Sequence, residues 1–147
     1  MRSFTMNLPK PDPKAVLEME EIGRTASPEN MARIYEQMDK KQEPNGKLRI
    51  VHLDDHCIYQ WGLMKTIDPD GSKIEFFQFQ HSDPALSFID VAFSKNYRID
   101  CIITDFNHPG MNGFDFSLSV RSIESSYSYH KEIPIILLSF TESVFRY

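Results

Sequence analysis

Asp54 and Asp55 are adjacent acids that directly follow the apolar run at residues 48–53, and Asp105 directly follows another at 99–104. Carboxylates are hard oxygen donors, and a small group of them suits Mg2+, which takes few protein carboxylates and keeps several waters. Brought to about 4 Å, each pair would repel by up to ~4 kcal/mol at an effective dielectric near 20, so convergence demands a cation, a proton or separation. A cation held there would also neutralise a phosphoryl group moving onto one of the acids. Ser139 ends a further apolar run, 134–138, and adds a hydroxyl. The same residue types also cap helices and open turns, so the acid pair alone leaves both readings open.

For these residues to share a site, three strand tips must meet. From Lys47 onward the chain alternates strand and helix patterns. Strands are expected at 48–53, 74–79, 99–104 and 134–138. Helices are expected at 59–67, from a cap at Ser82 or Asp83 through Phe93, at 114–123, and again from Thr141 or Glu142. Runs such as Cys101-Ile102-Ile103 and Ile135-Ile136-Leu137-Leu138 are apolar at consecutive positions. Both sheet faces are then covered, as in parallel α/β sheets. In such sheets the reactive crevice lies beyond the carboxyl ends of the strands, where the strand order reverses. Asp54, Asp55, Asp105 and Ser139 all fall at such ends, which favours one site over separate caps. The pattern is that of a doubly wound α/β domain.

Ahead of it, residues 1–12, with Pro9, Pro11 and Asp12, read as an arm. Two helices follow. Ala15, Val16, Met19 and Ile22 recur at helical spacing up to Gly23. Ser27 then offers an N-cap with Pro28 at the first helical position, and Met31, Ile34, Tyr35 and Met38 line one face. The breakers Glu43-Pro44-Asn45-Gly46 separate an N-terminal arm and helical extension, 1–46, from a domain at 47–147.

Three segments of that domain resemble the receiver domains of bacterial response regulators. Leu53-Asp54-Asp55-His56-Cys57-Ile58-Tyr59-Gln60-Trp61-Gly62-Leu63 is similar to the acidic first-strand signature. Asp105-Phe106-Asn107-His108-Pro109-Gly110-Met111-Asn112-Gly113 matches the phosphoacceptor loop, with Pro four and Gly eight positions after the Asp. Pro134-Ile135-Ile136-Leu137-Leu138-Ser139 matches a fourth strand ending in a Ser/Thr switch. The resemblance covers about residues 47–145. It implies a flavodoxin-like (CheY-like) parallel sheet of order 2-1-3-4, in which Asp105 accepts a phosphoryl group from a sensor histidine kinase, a phosphotransfer protein or a small donor. Mg2+ would be bound by Asp54, Asp55, Asp105 and the backbone carbonyl of Asn107, and Ser139 would be the switch hydroxyl. Such a domain is not an enzyme beyond catalysing its own phosphorylation and dephosphorylation. A pseudo-receiver that binds partners or dimerises without phosphotransfer is the alternative.

The resemblance also has departures. The family's fifth strand, with its lysine and switch aromatic, and its fifth helix would lie beyond Tyr147; a piece of a longer regulator is preferred over a natural altered receiver. Phe140 stands where the family has a small residue. With an edge strand missing, either a homodimer or coverage of the vacancy by the helices of 13–42 is expected. The net charge of -5 argues against a nucleic-acid surface over the whole chain. No apolar run is long enough for a membrane span, residues 1–10 make a poor signal peptide, and two cysteines fit reduced thiols in a cytoplasm. His52 and His56 are four apart, but the strand ends between them, so a helical metal pair is not expected. Trp61 and the phenylalanines at 76, 77 and 79 read as packing residues.

Overall fold

The computed structural model describes residues 12–40, 46–127 and 132–139. Helices α1 (Pro13–Gly23) and α2 (Pro28–Lys40) come first. Each start has a local cause. Asp12 Oδ1 accepts from Ala15 N at 2.8 Å and Ser27 Oγ from Asn30 N at 3.3 Å, and each cap precedes a proline whose missing N–H needs no partner there. The alternating part follows as β1 (Leu48–Leu53), α3 (Cys57–Ile67), β2 (Ile74–Phe79), α4 (Ser82–Ser94), β3 (Cys101–Asp105), α5 (Gly113–Ser125) and β4 (Ile135–Leu138).

The four strands form one parallel sheet in the order β2-β1-β3-β4, the order expected above. The chain leaves β1 in one direction to make β2 and then returns past β1 to make β3. Right-handed crossovers therefore deposit α3 on one face and α4 and α5 on the other. Side chains follow the two-residue period of the strands. Val51, Leu53, Phe77, Phe79 and Ile102 meet Phe88, Ile89, Phe116 and Val120 in the main core. Ile50 and Ile103 point the other way, onto Leu63 of α3.

The first two helices are built into this body. Ala15 and Ile22 of α1 pack on Trp61 of α3, and Ile34 and Met38 of α2 join the main core. The α1–α2 pair thus brackets the β2 side of the sheet, where its apolar stripes find Trp61 and the α4 side of the core. It does not cover the β4 side, where sequence reasoning placed a vacancy; there Ile136 and Leu137 are 47% and 43% exposed. Several boundaries differ from expectation by one or two residues, with α3 starting at Cys57, α5 spanning Gly113–Ser125 and β4 starting at Ile135. β3 begins at Cys101 because the Asp100 carboxylate already takes the Arg49 N–H at 2.8 Å. The N-cap of α4 is His81, without a side-chain cap bond, so neither Ser82 nor Asp83 fills that role. The helix expected from Thr141 or Glu142, and Phe140, lie outside the described residues.

Candidate functional site

β1 and β3 pair in the register Leu53↔Thr104, so the next residues, Asp54 and Asp105, stand opposite each other at the carboxyl end of the sheet. The backbone N–H of Asp54 donates to Phe79 O at 3.1 Å, which extends β1 by one residue and buries Asp54 completely. Its Oδ1 accepts from His56 N at 2.9 Å, folding the chain into α3. Its Oδ2 has no hydrogen-bond partner among the described residues. Burial, followed by the charges of Asp105 and Asp55, pushes the Asp54 carboxyl up to about 6, against the opposing pull of the His56 N–H and ring.

Asp55 is half-buried, and its buried Oδ1 likewise makes no hydrogen bond. The His56 ring turns back over both acids, with Nδ1 at 3.0 Å from Asp55 Oδ1 and 3.4 Å from Asp54 Oδ1. One donor atom from each of Asp54, Asp55 and His56 lies within 4.8 Å of the others, a group able to hold a metal ion. Asp105 stands outside that group but close enough for its charge to act on Asp54.

On the far side, Asp105 Oδ1 accepts from Asn107 N at 3.1 Å, and Asn107 Nδ2 donates to Ser139 Oγ at 3.2 Å. The loop after Asp105 returns tightly to α5, whose cap Asn112 accepts from Asp115 N at 2.8 Å. At Gly113 a Cβ would sit 2.9 Å from both Asp105 O and Phe106 Cα, so only glycine allows this approach.

No family model matches the chain. Over 92 residues it is 29% identical to the cyclic di-GMP phosphodiesterase response regulator RpfG of Xanthomonas campestris pv. campestris, covering 63% of this chain and 22% of that protein. Over 101 residues it is 29% identical to the virulence sensor protein BvgS of Bordetella bronchiseptica, covering 69% of this chain and 8% of that protein. The chain thus spans less than a quarter of the length of these curated relatives. The solved receiver domain of the histidine kinase CKI1 from Arabidopsis thaliana, a single-substitution variant, superposes with a TM-score of 0.56 at 22% identity. That match covers 65% of this chain and 67% of the other, and it shows the fold. This chain has a CheY-like doubly wound fold.

Within this fold, Asp54, Asp55 and Asp105 stand at the tips of β1 and β3, and Ser139 joins Asp105 through Asn107. Asn107 enters by its side-chain amide and backbone N–H, a role that sequence reasoning had limited to its carbonyl. His56 was overlooked as a member of the cluster, although it follows the acid pair directly. The orphaned oxygens of Asp54 and Asp55 are hard donors, and they suit a divalent cation.

Beside the acids, on the same side of the sheet, lies a second polar cluster. Gln60 Nε2 donates to Phe79 O at 2.9 Å and His52 O at 3.3 Å, and Gln78 Nε2 donates to Gln60 O at 2.9 Å. Gln80 Nε2 reaches Gln60 Oε1 at 2.8 Å and Ile22 O of α1 at 3.2 Å. The Gln80 carbonyl meets Nε2 of the buried His108 at 2.7 Å, tying the loop after Asp105 to β2. Burial holds His52 far below the usual histidine range, at about 3, so it is neutral.

Proposed function

We propose that the chain is a response-regulator receiver module of two-component signalling, switched by phosphorylation of Asp105. The observation that carries this reading is the fully buried Asp54, with one oxygen unpartnered, facing Asp105 across the β1–β3 pair at the carboxyl end of the sheet. The response-regulator relatives agree with it. Asp54, Asp55 and Asp105, with the Asn107 carbonyl, would hold Mg2+, which when bound offsets the negative charge of the transferring group. The hydrogen bond from Asn107 N holds the Asp105 carboxylate in place. A carboxylate oxygen of Asp105 forms the new O–P bond while the P–N bond to a donor phosphohistidine breaks, and the donor imidazole keeps the electron pair. Ser139 Oγ, one contact away through Asn107, donates a hydrogen bond to a phosphoryl oxygen of the product. The added charge and acceptor oxygens at Asp105 bias the Ser139 end of β4 between two positions.

On this reading the domain works in the cytoplasm, takes its phosphoryl group from a sensor histidine kinase or phosphotransfer protein, forms a homodimer, and catalyses only its own phosphorylation and dephosphorylation. Incubation with labelled acetyl phosphate and Mg2+ tests it. Hydroxylamine-labile label in the wild-type chain, absent from Asp105→Asn, is the expected result. Absence of label in the wild type would refute phosphotransfer, and label surviving in Asp105→Asn would place the acceptor elsewhere.

A further inference from the structure

The acid pair is followed by an imidazole whose position an all-oxygen Mg2+ site does not require. His56 Nδ1 lies 3.0 Å from Asp55 Oδ1 and 3.4 Å from Asp54 Oδ1. The nearer contact is an ion pair when the ring is protonated, but it lacks hydrogen-bond geometry, so Asp55 Oδ1 is left without a hydrogen-bond partner among the described residues. Asp54 Oδ2 is also unpartnered, on a side chain with 1% of its surface accessible. Metal–donor bonds of about 2.1 Å put neighbouring donors about 3.0 Å apart in an octahedron and about 3.4 Å apart in a tetrahedron. Both separations from Nδ1 lie within the span that one bridging ion allows. The ring stands over the acids because the His56 N–H is held by Asp54 Oδ1 and because the ring leans on Tyr59, with centroids 5.1 Å apart and planes tilted by 57°.

We propose that His56 Nδ1 is a ligand in this crevice, making a mixed nitrogen–oxygen site that prefers a transition-metal dication of the Mn2+-to-Zn2+ series over Mg2+. The inference rests on the proposed phosphoacceptor reading, because the oxygens are the same. It adds a nitrogen donor and a different class of cation. Mg2+ is a hard ion that dehydrates reluctantly and gains little from an imidazole. Affinity for nitrogen donors instead rises along the first-row series, and imidazole suits its later members. A cation seated between Nδ1 and the carboxylates would also face Asp105, whose charge already reaches Asp54.

The test uses the full chain, its His56→Gln variant and Asp54→Asn, titrated separately with Mg2+ and Co2+ by calorimetry, with pulsed EPR on the Mn2+-loaded protein. The wild type is expected to bind Co2+ at least tenfold more tightly than Mg2+, and its Mn2+ signal to show coupling to one 14N nucleus. In His56→Gln the 14N coupling disappears and Co2+ binding weakens tenfold or more, whereas Mg2+ binding changes less than threefold. Equal Co2+ affinity in wild type and His56→Gln, with no 14N coupling in either, overturns the histidine ligand and leaves the oxygen site intact. Failure of the wild type to bind either ion, or binding unaffected by Asp54→Asn, overturns the oxygen site and the proposal together.

Discussion

On one side of the sheet two polar clusters lie next to each other, the glutamine–histidine cluster over β1 and β2 and the acidic cluster at the ends of β1 and β3. In the first, the amides of Gln60, Gln78 and Gln80 all donate, and His52 stays neutral. In the second, Asp54 and Asp55 leave oxygens unpartnered, and like charges face one another. Buried polar groups are normally satisfied, and a fully satisfied network fixes one arrangement of its elements. The acidic cluster leaves two carboxylate oxygens unpartnered, whereas beside it every glutamine amide donates and the one orphan among the described residues is His108 Nδ1. One cluster ties α1, α3 and β2 together, and the other presents unpartnered oxygens of a kind that suits a cation.

The largest expected effect tests the holding role. In Gln60→Leu the Gln80 amide loses its shortest acceptor but keeps Ile22 O and Gln78 O, and the Phe79 and His52 carbonyls each lose an amide donor. Orphaned buried groups of this kind cost about 1–3 kcal/mol each, so urea unfolding should show a loss of roughly 2–4 kcal/mol. A loss under about 1 kcal/mol would mean that the network is ornamental. Asp54→Asn should do the opposite in metal-free protein. It keeps an acceptor for the His56 N–H and removes a carboxylate that is costly to ionise, so stability at pH 7.5 should rise by about 1–3 kcal/mol. The gain should vanish near pH 4, and millimolar Mg2+ should stabilise the wild type but not the variant. An unchanged wild-type melting temperature with Mg2+ would break the comparison at its second half.

pH separates the clusters further. The folded value of Asp54, about 6, lies above its unfolded value of about 3.9. Its neutral form therefore contributes stability that is complete below about pH 4 and lost as pH rises through about 6. The folded value of His52, about 3, lies below its unfolded value of about 6.5. Its contribution is complete above about pH 6.5 and lost as pH falls toward 3. Chemical denaturation from pH 3 to 8 in EDTA should show Asp54→Asn abolishing the falling limb and His52→Gln abolishing the rising one. If both variants keep the wild-type profile, burial is not what sets these protons. The smallest effect belongs to Gln80→Met, which removes the three bonds donated by the amide of a half-buried residue. A loss of about 1 kcal/mol, with faster hydrogen exchange confined to α1, is expected.

Much of this was legible in the chain itself. β1 and β2 lie where the sequence pattern puts them, and α3 ends at Ile67, just ahead of the breaker Asp68-Pro69-Asp70-Gly71. The meeting of Asp54 with Asp105 follows from parallel strands that end in acids. β3 was read two residues early because Ile99 is apolar and buried, whereas the ladder waits for Asp100 to release the Arg49 N–H. His56 was weighed only against His52 at helical spacing. The contact that matters is made by a turn within the acid segment, and no periodicity reports it. The tie between His108 and Gln80 spans 28 positions, and the seating of α1 on Trp61 spans 43, so neither leaves a local pattern.

That seating has an optical consequence. Trp61 is the sole tryptophan of the chain; its indole N–H donates to Glu18 at 3.1 Å, and its ring is 4% exposed beneath Ala15 and Ile22. An indole in such surroundings emits toward the blue, and one released to water emits toward the red. The protein thus carries its own label for the docking of its first helix, on the same helix that begins beside the acidic crevice.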